Sequence, residues 1–434
     1  MTPPVRIHLA AHFPGADDST VWAGSRSRSH IDFSSFEHLA RTAERGLFDF
    51  FFLSEGLRLR EHKGRIHDLD VVGRPEPVTV LNALAAVTDR LGLAAAVDVT
   101  FNEPYELARR LASLDHLSGG RAAWNVVTTS DARTGENFRR GGRHDRADAA
   151  ARAEEFLRTA RALWDSWTPS GEARPLVHHG QHFTVEGEFT VPRSPQGHPV
   201  VIQEADSARE REFAAASADV VLTRHGTPEA GRAFYADVKG RLAHHGRDPG
   251  DLRIMPGVTC VLGDTDAEAR EKAAEIRGQQ VSPRHAIVAL EQIWGRDLSS
   301  YDADGPLPGI DPDPDPDPAL VQGRVRGADR LAVASAWRAL SQAKGLSIRQ
   351  TVIETTGRQS FIGTPRTVAA ALEESVATGA ADGFVLLPQP APGGLDDFVD
   401  RVVPLLQERG VFRSRYTGTT LRSHLGLAEP VWKG

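Results

Sequence analysis

Eight times along its 434 residues the chain repeats one pattern. A short run of branched and aromatic apolar residues is followed by a longer stretch whose apolar positions recur every three to four residues. The short runs predict strands at Arg6–Ala11, Phe48–Leu53, Leu91–Val99, Ala122–Val127, Pro199–Gln203, Asp219–Thr223, Arg253–Val261 and Asp382–Leu387. Between them, Asn102-Glu103-Pro104 followed by Leu107, Leu111 and Leu114 reads as a helix start and its apolar stripe. Phe156, Leu157, Ala160, Leu163 and Trp164 form a second such stripe. Strands alternating with helices predict an α/β chain of parallel strands joined by helical crossovers. Eight such units favour a (β/α)8 barrel over an open doubly wound sheet, which carries fewer strands and a phosphate-binding glycine loop. Residues 1–434 therefore read as a single barrel domain.

Three segments break the rhythm. In 171–195 the stretches His182–Val185 and Glu188–Val191 flank Glu186-Gly187 and predict an inserted β-hairpin. A longer insertion at 281–357, before the last barrel unit, holds the Asp-Pro repeat of Asp311–Pro318. Every second residue there lacks an amide donor, so the segment is expected as an extended, mobile loop. The extension 411–434 carries Phe412, Tyr416, Leu421, Leu425 and Trp432, which must bury against the barrel or a second subunit. Insertions that follow barrel strands lie on the face where active sites are built.

Composition removes several classes of function. Lys plus Arg total 51 against 58 Asp plus Glu, a net charge of -7 that gives no reason to expect a nucleic-acid or anionic-membrane partner. The lone Cys260 forbids an intrachain disulfide or a multi-thiolate metal site. With no segment resembling a signal peptide or a membrane span, the expected location is the cytoplasm. No two glycines stand two apart and no Gly-Lys pair occurs, so neither the GxGxxG fingerprint nor a Walker A loop can be present. His178, His179 and His182 have chelating spacing but lack a matching carboxylate in sequence, and no metal is expected.

Residues at the carboxyl ends of the strands then become the candidates. They are His12, Ser54 with Glu55, Asp98 with Thr100, Asn125 with Thr128, Gln203 and His225. This weakly charged polar ring suits a planar heteroaromatic cofactor better than a polyphosphate, although polar residues end strands in any barrel. His12 and His225 are the candidate acid–base residues, and each could equally be a strand-end hydrogen-bonding residue. Arg139, Arg140, Arg143 and Arg146, around Gly141-Gly142, could seat a phosphate or simply face solvent.

The run NEPYELARRLASLDHLSGGRAAWN of Asn102–Asn125 resembles the flavin-dependent monooxygenases of the bacterial luciferase-like superfamily. So do AERGLFDFFFLSEGLRLRE of Ala43–Glu61, PRSPQGHPVVIQ of Pro192–Gln203 and PGVTCVLGDTDAEAR of Pro256–Arg270. Within that superfamily the match is to the branch of nitrilotriacetate and dibenzothiophene-sulfone monooxygenases. The resemblance implies a TIM barrel that uses reduced FMN, supplied by a separate flavin reductase, and O2 to oxygenate a small or medium organic substrate through a C4a-peroxyflavin. It implies a homo-oligomer as well. Carried over by position, Glu55, Thr100, Asn125, Arg143, Gln203 and Ser207 are the FMN-binding candidates. The chain departs from the pattern at Ala149-Ala150, where members carry Arg-Tyr, and at Glu204 and Glu210, where they carry small residues. Two alternatives stay open: a deazaflavin-dependent oxidoreductase of the same superfamily, or a barrel that has lost flavin binding and acts as a partner protein.

Overall fold

Hydrogen bonding closes eight parallel strands on themselves. The structure, a computed structural model, describes residues 6–13, 31–57, 75–129, 138, 146–316, 320, 329–356, 359–390 and 393–432. The barrel strands are β1 (His8–His12), β2 (Phe50–Leu53), β3 (Gly92–Asp98), β4 (Ala122–Val127), β7 (Val200–Glu204), β8 (Val220–Thr223), β9 (Arg253–Val258) and β12 (Gly383–Leu386). Around the barrel they run β1-β12-β9-β8-β7-β4-β3-β2, and β1 seals it by pairing with β12 through Leu9↔Phe384 and Ala10↔Val385. The fold is thus the α/β (β/α)8 TIM barrel, and each of the eight expected strands is present within a residue or two of its expected ends, except that β9 stops at Val258. Cys260–Leu262 (β10) leaves the barrel to pair with Phe361–Gly363 (β11).

Alternation along the strands sorts the apolar residues into two layers. Ala10, Phe50, Phe52, Ala94, Ala96, Ala123, Val200, Ile202, Val220, Leu222, Met255 and Val385 fill the barrel axis. Leu9, Ala11, Phe51, Leu53, Leu93, Val97 and Trp124 face outward into the helices. Helices α1 (Phe33–Arg45), α2 (Pro77–Ala85), α3 (Pro104–Ser118) and α4 (Arg146–Asp165) cover the first half; α5 (Ala208–Ser217) and α6 (Pro228–Leu242) follow β7 and β8. Helix α3 begins with Pro104 at its first turn and ends on Gly119 at φ 67°, a left-handed position that a side chain would strain.

The amino-terminal end of the barrel is held by a repeated device. An aspartate directly before a strand accepts the backbone N–H of the neighbouring strand: Asp49 from Leu9 at 2.9 Å, Asp219 from Val201 at 2.8 Å and Asp382 from Ile254 at 2.8 Å. Each carboxylate is also paired with a cation, respectively Arg413, Arg422 and Lys239. Two of those cations belong to the extension at 411–434, which folds under its own barrel. Leu421, Leu425 and Leu427 enter the axial core from below, and Gly92 makes room for them, since a Cβ there would stand 2.6 Å from Leu421.

Two expectations are corrected. The inserted hairpin pairs Leu176–His179 (β5) with Thr184–Gly187 (β6), about six residues earlier than expected on its first strand. Its turn is set by a tertiary contact: Glu155 of α4 accepts the N–H groups of Gln181, His182 and Phe183, and a Cβ at Gly180 would collide with that carboxylate. The insertion at 281–357 contains three helices and is not an extended loop throughout. Pro283–Trp294 (α7), Arg330–Lys344 (α8) and Ile348–Thr356 (α9) enclose a core of their own around Leu290, Trp294, Trp337, Ile348 and Val352. The described residues 295–316 lack helix and strand, and in the Asp311–Pro316 part of the repeat the missing donors dictate it. Among the described residues no helix is long and apolar enough to cross a membrane.

Candidate active site

Strand alternation decides which residues of the polar ring face the axis. Ala10 is axial, so His12, two residues on, points the same way. Its ring lies 5.3 Å from that of Phe52, and its Nε2 is 2.8 Å from Ser54 Oγ. Ala94 and Ala96 are axial on β3, which carries Asp98 inward, and Ala123 does the same for Asn125 on β4. Glu55, Asp98 and Thr100 form one network across β2, β3 and the end of β4. Glu55 Oε2 accepts the Asp98 N–H at 2.8 Å, and Asp98 Oδ1 accepts those of Thr100 and Phe101 at 2.6 and 3.3 Å. Thr100 Oγ1 accepts the Thr129 N–H at 3.0 Å.

Burial pushes the Glu55 carboxyl up to about 7, and the like charge of Asp98 adds to this while the Asp98 N–H opposes it. Asp98 is raised too, by burial, against the stabilising hydrogen bonds of Thr129 and Thr100. Asn125 is only 1 % exposed, and its Oδ1 has no hydrogen-bond partner. A buried amide oxygen left open on an axial face is costly in an empty site and useful in one that receives a ligand with an N–H to offer.

Not every ring residue joins this mouth. Gln203 alternates outward, where its Nε2 donates to Ser217 Oγ on α5 at 3.0 Å; its place is the strand–helix interface. His225 turns away as well: its ring packs 4.9 Å from Phe234 of α6, and burial and then Arg211 lower its pKa. Ser207 caps α5, its Oγ accepting the Glu210 N–H at 3.2 Å while Glu210 returns a bond to the Ser207 N–H at 2.7 Å. Glu210 and Ser207 thus hold the start of α5 between them. Arg139, Arg140 and Arg143 lie outside the described residues, as does the side chain of Arg146. His178 bonds Glu155 and His179 bonds Glu186, and among the described residues no cluster of His, Cys, Asp or Glu could hold a metal.

Asp98 is the residue whose part sequence reasoning undervalued. It stood in the ring, but only its orphaned Oδ2 and its contact with Glu55 distinguish it from an ordinary turn aspartate.

A closed parallel barrel whose carboxyl-terminal mouth presents buried, uncommitted polar atoms is a ligand-binding (β/α)8 enzyme scaffold. The particular family is shown by comparison: the luciferase-like monooxygenase profile matches residues 10–382, and the chain belongs to that family. It is 40 % identical to nitrilotriacetate monooxygenase component A of Aminobacter aminovorans, over 94 % of this chain and 93 % of that protein. It is 34 % identical to a dibenzothiophene-sulfone monooxygenase of Rhodococcus erythropolis (strain XP), over 100 % and 99 %. Among solved structures it resembles a riboflavin lyase with modified FMN and its substrate riboflavin, with TM-score 0.78, 28 % identity and coverage of 99 % and 97 %. The chain is a flavin-dependent monooxygenase of this family.

Proposed function

We propose that this chain is the oxygenase component of a two-component system, binding reduced FMN at the barrel mouth and inserting one atom of O2 into an organic substrate. The observation that carries this reading is Asn125, a buried axial amide whose oxygen has no partner. Of the surrounding groups Thr100 and Ser54 are uncharged, and burial raises the carboxyls of Glu55 and Asp98, which fits a heteroaromatic ring. Thr100 and Asn125 would hold the ring, with Glu55 beside them. Ser207 would contribute at the phosphate through the first turn of α5, against the charge of Glu210. Bound reduced FMN supplies the two electrons that activate dioxygen. The protein orients the ring, keeps bulk water from it and manages protons at the rim. His12, facing the axis beside Ser54, would exchange a proton with substrate, a role less suited to His225, whose ring packs on Phe234. The absent dinucleotide fingerprint supports supply of reduced FMN by a separate reductase.

The test is anaerobic titration with photoreduced FMN, followed by quenching of tryptophan fluorescence. Wild type is expected to bind, and Asn125→Leu, which keeps volume but removes the amide, to bind about tenfold more weakly, the value of one hydrogen bond of roughly 1.4 kcal/mol. Equal affinity in the two proteins, or no binding to wild type at high micromolar FMN, refutes the assignment.

A further inference from the structure

Asp98 ends β3, and Glu55 lies two residues past the end of the neighbouring strand β2. The Glu55 carboxylate is fixed by the Asp98 backbone, and Asp98, 2 % exposed, keeps Oδ2 buried and unbonded. The groups that face them can be named element by element. From the start of α2 comes Glu76, a further negative charge. From α3 comes Arg110, whose guanidinium is already engaged by Glu76. The loop after β3 supplies the N–H groups of Thr100 and Phe101, and that after β4 supplies the hydroxyl of Thr129. Ser54, next to Glu55, is bonded to His12. Among the described residues two acids therefore share the rim with Arg110 as the cation that acts on Glu55, and Glu76 takes up part of its charge. Like charges so placed do not both ionise cheaply near neutrality, and any ligand that covers the rim removes more water and makes ionisation costlier still.

We propose that Glu55 and Asp98 form a carboxyl pair that stores a proton at the barrel mouth and takes up further proton when a ligand covers it. The chemistry of the assigned reaction gives the store a use. Substrate, O2, anionic reduced flavin and one proton yield oxygenated substrate, oxidised flavin and water. The flavin gives up two electrons, one oxygen atom goes to substrate, and the other is reduced to water and needs the proton. The pair is the place in this chain where that proton would be held, recharged from solvent after each turnover. This rests on the flavin reading for the identity of the ligand, while the proton store is a property of the chain alone.

Two measurements separate the claims. First, infrared pH-difference spectra of the ligand-free chain should show a carboxyl that titrates at about 7 in wild type. It should vanish in Glu55→Gln, which preserves the acceptor for the Asp98 N–H, and move to lower pH in Asp98→Asn, which removes the like charge. Superimposable spectra of wild type and Glu55→Gln between about pH 5.5 and 8.5 overturn the proposal. Second, calorimetric titration with oxidised FMN near pH 8, in buffers of different ionisation enthalpy, should show uptake of up to about 0.9 proton per FMN in wild type and almost none in Glu55→Gln. Binding without uptake in wild type, or the same uptake in the variant, also overturns it. Should FMN fail to bind, the flavin assignment falls and the infrared titration still decides the carboxyl pair.

Discussion

Replacing Arg422 by alanine should strand Asp219 under the barrel. The guanidinium grips both carboxylate oxygens, at 2.9 and 3.0 Å, and also reaches the His198 and Ala428 carbonyls at 3.4 Å. Both partners are buried. Breaking a buried pair by removing one member costs about 3–5 kcal/mol, because the other charge stays behind uncompensated. Arg161 still attracts Asp219, and the Val201 N–H still bonds it, which places the expected loss near the lower end, about 3 kcal/mol. In a chain of this length that is a fall of only about 3 °C in melting temperature, so calorimetry with replicate scans is the appropriate assay. The pH dependence is diagnostic. Burial alone would raise the Asp219 carboxyl, but Arg422, and then Arg161, holds it below its ordinary value. A group depressed in the folded state stabilises above its unfolded pKa, and that stabilisation is lost as pH falls through the folded one. Without Arg422 the carboxyl rises, and protonation relieves the penalty. The deficit should therefore be greatest near pH 7.5 and shrink toward about pH 4.5. Adding Asp219→Asn, which keeps an acceptor for Val201, should recover most of the loss. A deficit under about 1 kcal/mol, or one that does not change with pH, would refute the argument.

Other perturbations bear on separate parts of the molecule. Leu421→Ala, at a fully buried side chain inside the lower barrel, should cost about 3 kcal/mol by denaturant titration. Glu155→Ala should release the hairpin turn, read as faster amide exchange at Gln181, His182 and Phe183 with barrel amides unchanged. Glu210→Gln should tighten FMN binding about two- to fivefold, most strongly at low salt, if the phosphate docks at the start of α5; no change in affinity would move the phosphate elsewhere.

The barrel could be read from the chain because its strands advertise themselves twice, as β-branched runs and by their spacing to the helices. Ala122–Val127 was placed to the residue. The mouth was only partly legible. Position past a strand picked out His12, Asp98, Asn125, Gln203 and His225 alike, but whether a side chain faces the axis depends on the register of the alternation. That register separates Asn125 from Gln203. The local turn after β8 sends His225 to Phe234. Hairpin register failed for a different reason, since the deciding partner, Glu155, stands more than twenty residues away in sequence. The helices of the 281–357 insertion were obscured by the conspicuous Asp-Pro repeat, although Leu290, Trp294 and Trp337 carry the pattern of a small core.

Pairing of β1 with β12 joins residues some 375 positions apart, as in His8↔Gly383. During synthesis, every nascent chain that has not yet emerged through β12 has a first strand with one unsatisfied edge, and Phe50 and Phe52 of β2 face an axis that is not yet enclosed. Closure of the barrel thus waits for the last strand and for the extension at 411–434, whose Leu421 and Leu425 fill its lower end. Long-range pairing of this kind is slow to form and leaves apolar surface exposed until it does.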